Sequence, residues 1–245
     1  MGGRPRPNQA IGGDLAGAGE PEFGLFDYLN IGGSINGGFN QAPPQPSSFR
    51  TANDQTSASA AGQLSPTFLQ FNRNVIENGE RLQWGAHVAW FYKSLFLMAE
   101  YGGGYGTYSL GPRAVSTRLP FEGYMLQASY FLTGERLTRR VNVVRPRRDF
   151  RIRDGRITGP GAVEVYARYA DLNLGKNVFT AGLADPNLWS NEAYTVDLGL
   201  NWYLNFYTKI YLDWQHAGFG RPVSSRPGGW ERNTNLFWLR FQLFF

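Results

Sequence analysis

Counted back from the C-terminus, every second residue is apolar: Phe245, Leu243, Phe241, Leu239 and Phe237, while Gln242 and Arg240 fall on the other side. A repeat of two predicts a strand with one oily face. The same alternation recurs upstream. Trp84, Ala86, Val88 and Trp90 oppose Gly85, His87, Ala89 and Phe91; a tight turn at Lys93 and Ser94 leads into Leu95, Leu97, Ala99 and Tyr101, opposed by Met98 and Glu100. Leu126, Ala128 and Tyr130 oppose Gln127 and Ser129 within a strand from Tyr124 to Leu132. Val163, Val165, Ala167 and Tyr169 oppose Glu164, Tyr166 and Arg168. Tyr194, Val196, Leu198, Leu200 and Trp202 oppose Thr195, Asp197, Gly199, Asn201 and Tyr203, and Ile210, Leu212 and Trp214 oppose Lys209, Tyr211, Asp213 and Gln215. A first strand is predicted from Tyr28 to Phe39, with Leu29, Ile31, Gly33, Ile35 and Gly37 on one side; its glycines suit a bend or a close approach. About eight strands result. The expected class is all-β, an antiparallel transmembrane β-barrel, because each predicted strand carries its polar residues on a single face.

The segments between the strands differ in kind. Residues 1–23 are rich in Gly, Pro and Ala and are expected to be a disordered or linker segment, leaving 24–245 as one barrel region. Residues 41–80 turn to Pro, Ser, Asn, Gln and Ala; at that length the stretch is either a functional loop or a disordered surface loop. Residues 109–118, 173–192 and 219–232 are expected loops. The segment 133–161 is the most unusual: nine arginines between Arg136 and Arg156 stand against Asp149 and Asp154, a charge of +7 where the whole chain carries +5.

Composition narrows the classes. No run approaches the roughly 18 apolar residues of a spanning helix. Mean hydropathy is −0.36 with 16% aromatic residues, which a barrel tolerates because lipid-facing and lumen-facing residues cancel in an average. Aromatics at strand ends (Trp84, Trp90, Tyr92, Tyr101, Tyr105, Tyr108) fit interfacial girdles. Of the 24 basic residues only Lys93, Lys176 and Lys209 are lysines, so arginine dominates; its planar fork suits phosphate and carboxylate, although a compositional bias would produce the same excess. The absence of cysteine excludes disulfides and cysteine metal sites. The first residues contain no apolar stretch of the kind found in an export leader, so the expectation is either a leader upstream or a chain outside the membrane class.

Catalysis finds no support. His87 and His216 are the only histidines, no G-x-S-x-G or paired-histidine spacing occurs, and YGGGYG at 101–106 has no helix behind it to form a phosphate loop. No enzyme, cofactor or metal is expected.

LQWGAHVAWFYKSLFLMAEY (82–101), YMLQASYFLTGE (124–135), AVEVYARYADLNLG (162–175), VDLGLNWYLNFYTKIYLDWQHA (196–217) and the final LFWLRFQLFF together resemble the C-terminal half of the phosphate-selective porin O and P family. The resemblance implies a sixteen-stranded outer-membrane porin, usually a homotrimer, passing phosphate and other anions through constrictions lined by Arg and Lys, with loops folded inward from both sides. The chain would then be the C-terminal half of such a barrel, in the cell outer membrane of a Gram-negative organism, facing outer-membrane lipid and without nucleic-acid partners. The terminal pattern Phe237, Leu239, Phe241, Leu243 and Phe245 resembles the signal read by the barrel assembly machinery. Barrel termini lie in the periplasm. Counting back therefore places 41–80, 173–192 and 219–232 outside the cell, and the basic segment on the periplasmic side, where turns are normally short.

The expected function is passive diffusion of anions, possible substrates being phosphate or polyphosphate. The candidate pathway residues are Arg139, Arg140, Arg145, Arg147 and Arg148 in the basic segment, with Arg168, Lys209 and Arg240 on inward strand faces. Arg168 and Arg240 have an equal alternative as wall ion pairs with Glu164, Asp197 or Asp213. The basic segment has one as a solvated run, or as a patch for anionic lipid headgroups or another envelope component. A small eight-stranded barrel acting as an anchor or adhesin is the alternative to a porin; inward Gly199, Ala89 and Ser129 favour the wider lumen.

Overall fold

The computed structural model describes residues 24–51, 65–139, 144–226 and 228–244. The predicted 1–23 segment, Arg140 and Phe245 lie outside them. The alternating stretches become strands, and four short strands arise outside them: β1 (Leu29–Gln41), β2 (Phe49–Arg50), β3 (Thr67–Leu69), β4 (Ile76–Tyr92), β5 (Leu95–Ser109), β6 (Thr117–Phe131), β7 (Arg151–Arg153), β8 (Arg156–Gly159), β9 (Ala162–Leu174), β10 (Glu192–Tyr203), β11 (Thr208–Arg226) and β12 (Gly229–Leu243), the short ones being β2, β3, β7 and β8. One four-residue helix, α1 (Asn177–Thr180), interrupts them.

Eight strands form a single sheet in the order β1-β4-β5-β6-β9-β10-β11-β12, every neighbour antiparallel, with β1 and β12 at its edges among the described residues. Two two-stranded sheets, β2–β3 and β7–β8, stand apart from it. Register carries the period-two pattern across the whole width. Leu29, Trp90, Leu97, Ala128, Ala167, Leu198, Trp214 and Phe237 are successive cross-strand partners, one from each strand. The row one residue over reads Asn30, Ala89, Met98, Gln127, Arg168, Asp197, Gln215 and Leu236. A slip of one residue in any strand would exchange these faces.

Turns account for the connectivity. Lys93, with φ of 56°, and Ser94 close the β4–β5 hairpin, and at 204–207 Leu204 N–H donates to Thr208 O at 2.9 Å. These short turns, together with 132–139 and 144–161, define the turn end of the sheet; 42–51, 65–75, 110–116 and 175–191 define the loop end. The glycines of YGGGYG serve packing: a Cβ on Gly102 or Gly103 would stand 2.9 Å from the carbonyl oxygens of Trp84 or Phe121, and one on Gly104 would run into Leu82 O. That close approach sits beside the register shift between Glu77 and Leu82 in β4.

Several boundaries move. Residues 76–80, expected within a loop, begin β4. The loop expected over 219–232 is mostly strand: β11 runs on to Arg226 and β12 restarts at Gly229, with shifts at Gly218/Val223 and Ser224/Arg226 that absorb the irregular pattern there. The 133–161 segment holds the β7–β8 hairpin, whose Asp154 and Gly155 (φ 51° and 73°) form a turn of the mirror-image type that Asp-Gly favours. Gly199 does not leave open space, because the ring of Tyr166 lies across it.

Candidate channel-lining face

The apolar side of the sheet is exposed. Ile31, Ile35, Phe39, Leu126, Leu198 and Leu212 are half to three-quarters accessible, as are Phe237, Leu239, Phe241 and Leu243 of the expected assembly signal. An apolar surface that runs across eight strands is far larger than water tolerates on a monomer. It is banded by aromatics. Tyr124, Tyr169, Tyr194 and His216 follow one another across β6, β9, β10 and β11 with centroids 5.7, 6.1 and 6.2 Å apart, and Trp84 meets Tyr101 edge-on at 5.3 Å. His216 and Trp214 share Asn235 Oδ1 at 3.1 Å each, so this histidine belongs to the band.

The opposite side is wired with charge. Asp197 is fully buried; its Oδ2 accepts from Arg168 Nε at 3.0 Å and its Oδ1 from Gln215 Nε2 at 2.7 Å. Cross-strand register makes these three residues direct neighbours, which is why the triad forms. Nearer the turn end, Glu164 Oε2 accepts from Asn201 Nδ2 at 2.8 Å and Tyr203 Oη at 3.4 Å. Lys209 Nζ lies 4.8 Å from the Tyr203 ring centre and 5.2 Å from that of Tyr211, and the Arg240 guanidinium lies 5.1 Å from the same Tyr211 ring. Lys209 and Arg240 are thus brought together across two strands, supported by cation–π contacts. Arg168 sits apart from them, tied to Asp197. His87 belongs to this face and approaches Asn30 Oδ1 at 3.3 Å, its ring beside Gly32.

Both ends of the charged face are covered. At the loop end Phe68, Leu69, Phe71 and Val75 pack on Leu119, Leu174, Ala193, Ala217 and Phe219, which all lie on the same side of the sheet as Arg168. Ser190 N–H donates to Phe68 O at 2.9 Å and Asn72 N–H to Leu183 O at 2.8 Å, which fastens this loop to the 175–191 loop. The residues at the centre of the cluster are almost completely inaccessible.

At the turn end the basic segment is pinned by a few contacts. Val144 packs with Phe131, Ala162 and Tyr203. Glu135, itself buried, accepts from the Arg147 backbone at 3.0 Å and from the Thr133 hydroxyl. Thr138 and Arg139 share a cleft with His87, Met98 and Glu100, so Arg139 stands over β4 and β5 on the charged side. Arg145, Arg147 and Arg148 are exposed at the turn end.

Alongside Asp197, a candidate ion-pair partner from the sequence, the structure brings in Gln215, Tyr203 and Tyr211, which strand parity already places on the polar face. Their pairing required the register of neighbouring strands.

Eight antiparallel strands, almost no helix, and opposed apolar and charged faces constitute a porin-type β fold. Sequence comparison agrees: the family described as phosphate-selective porin O and P matches residues 54–245. The chain belongs to that family, which is one of outer-membrane porins and so of channels rather than enzymes. No curated protein matches the chain.

Proposed function

We propose that the chain supplies part of the wall of an outer-membrane porin through which anions diffuse, phosphate being the substrate its family name indicates. The observation that carries this reading is the sheet's two-sidedness: an exposed apolar face across all eight strands, backed by Arg168, Lys209 and Arg240. Hydrocarbon tolerates no unpaired strand edge, so β1 and β12 need further strands between them in the complete wall. The expected wall has sixteen strands, assembled as a homotrimer after the barrel assembly machinery engages the terminal strand.

In this reading the turn end faces the periplasm and the loop end the exterior. Anions entering would pass the apolar cluster around Phe68 and then meet Lys209 and Arg240, with Arg139, Arg145, Arg147 and Arg148 beyond. Such cations replace part of an anion's hydration while binding weakly enough to release it. Arg168 acts mainly as wall, its charge balanced by Asp197. Reversal potentials across a planar bilayer in a KCl gradient test the proposal: anion preference is expected, and cation preference would sink it.

The apolar cluster at the loop end favours one second reading, a narrower barrel with a filled interior serving as anchor or adhesin. That version conducts no current in the same bilayer.

A further inference from the structure

The β7–β8 hairpin is absorbed neither by the sheet nor by the charged face. Ile152 and Ile157 are cross-strand partners in it, and Arg153 pairs with Arg156. Because side chains alternate along a strand, the two isoleucines share one face while Arg151, Arg153 and Arg156 take the other. Both isoleucines are about two-thirds exposed, and the three arginines are exposed as well. An isolated pair of short strands gains little stability by itself and leaves its apolar face without a partner.

Its attachment places it. Phe150 N–H donates to Leu204 O at 2.7 Å, and the Phe150 ring meets Trp202 edge-on at 5.0 Å. Trp202 Nε1 in turn donates to Pro160 O at 2.8 Å, at the far foot of the hairpin. Trp202 belongs to the apolar face, in register with Val163 and Ile210, and through Ile210 with exposed Phe241. The hairpin therefore springs from the apolar side of the sheet at the turn end, where an indole with its N–H satisfied marks the edge of the hydrocarbon band. Val144, Ala162 and Tyr203 show the same segment reaching the charged side too, so the strap crosses the rim and leaves its hairpin outside.

We infer that this hairpin is an interfacial anchor, with Ile152 and Ile157 entering the acyl boundary and Arg151, Arg153 and Arg156 binding anionic phospholipid headgroups. This rests on the membrane reading above. Lipid is the occupant because the hairpin continues the apolar face at the level of its aromatic border, and because arginine forks match phosphate oxygens. A hairpin serving the channel would have to stand on the opposite face.

The chain contains no cysteine, so a single introduced one labels uniquely. Thr158→Cys in the hairpin and Ala128→Cys on the apolar face, each in the full chain and each carrying a polarity-sensitive dye, would be reconstituted in phosphatidylglycerol-containing or pure phosphatidylcholine vesicles. Nitroxide-labelled lipids would serve as shallow and deep quenchers. The Thr158 label is expected to be quenched more by the shallow nitroxide, and more in the anionic vesicles. Replacing the three arginines by glutamine should cut that quenching at least about twofold. Ile152→Ser with Ile157→Ser should abolish it while leaving the Ala128 signal intact. A water-like Thr158 signal beside a lipid-like Ala128 signal overturns the anchor alone, as does quenching indifferent to headgroup charge or to the arginines. Concentration-dependent protection without lipid quenching would overturn it in favour of a protein contact. A water-like signal at Ala128 overturns the membrane reading together with the anchor.

Discussion

The two long excursions from this sheet close its two ends by opposite means. At the loop end, residues 65–75 bring Phe68, Leu69, Phe71 and Val75 down onto the sheet and bury them almost completely. At the turn end, residues 132–161 carry a high density of arginine and hold to the sheet through Val144, Glu135, Phe150 and a few backbone bonds, with Arg145, Arg147 and Arg148 exposed. Apolar burial can hold a loop rigidly without specifying which ions pass. A weakly packed basic strap can select among ions while contributing little to stability. The difference teaches that apolar burial and exposed charge are assigned to different ends of the sheet.

The contrast is most easily broken at the dry end. Phe68→Ala removes a fully buried ring and should cost about 3–5 kcal/mol, read as a lower urea midpoint and new protease cleavage in the 65–75 loop. If the loop narrows a channel, conductance rises in the same variant; unchanged stability would show that the cluster is not the clamp described here.

A smaller effect is expected midway along the wall. Asp197→Ala leaves Arg168 and Gln215 without their acceptor, and because Arg168 retains partial access to water the loss should be about 2 kcal/mol rather than the full cost of a buried orphan charge. Denaturant titration checks it. The freed guanidinium should also move the reversal potential further toward anion preference, whereas a shift toward cations would contradict the placement of Arg168 on the channel side.

At the basic end the expected signs reverse. Replacing Arg145, Arg147 and Arg148 together by glutamine should lower anion preference in the KCl gradient, while stability changes by less than about 1 kcal/mol because these side chains are exposed. Large destabilisation with unaltered selectivity would make the strap a structural clamp and remove the contrast.

The smallest effect belongs outside both segments. Arg118 and Glu80 form a 2.9 Å bridge, each side chain more than 60% exposed, so Arg118→Gln should change the unfolding midpoint by the equivalent of less than about 1 kcal/mol. A larger change would mean that the girdle near Tyr105 is more tightly built than its exposure implies.

Much of this architecture follows from the alternation alone. Parity separates Trp90, Leu97 and Leu198 from Arg168, Asp197 and Gln215 before any strand is paired, because successive side chains on a strand point to opposite faces whatever the partner. The Asp154–Gly155 pair was an equally local signal for a hairpin, hidden within the arginine run. The clustering of Phe68 with Phe219 was not legible: the residues are far apart in sequence, and composition leaves 41–80 open between a functional loop and a disordered one without saying which surface its few apolar members find.

The chain by itself determined the class of wall, since a strict period of two with apolar residues on one side and charges on the other admits few folds, and the order and spacing of the strands carry the family. Tertiary structure alone decided the pairings. Glu164, Asp197 and Asp213 all share the face of Arg168, and only the register of β9 against β10 puts Asp197 opposite it. It also decided that Lys209 and Arg240 meet over Tyr211 and that the basic strap crosses the rim at Trp202. Which face a side chain takes is a property of its own strand; which partner it meets depends on how far the neighbouring strand has been slid before hydrogen bonding.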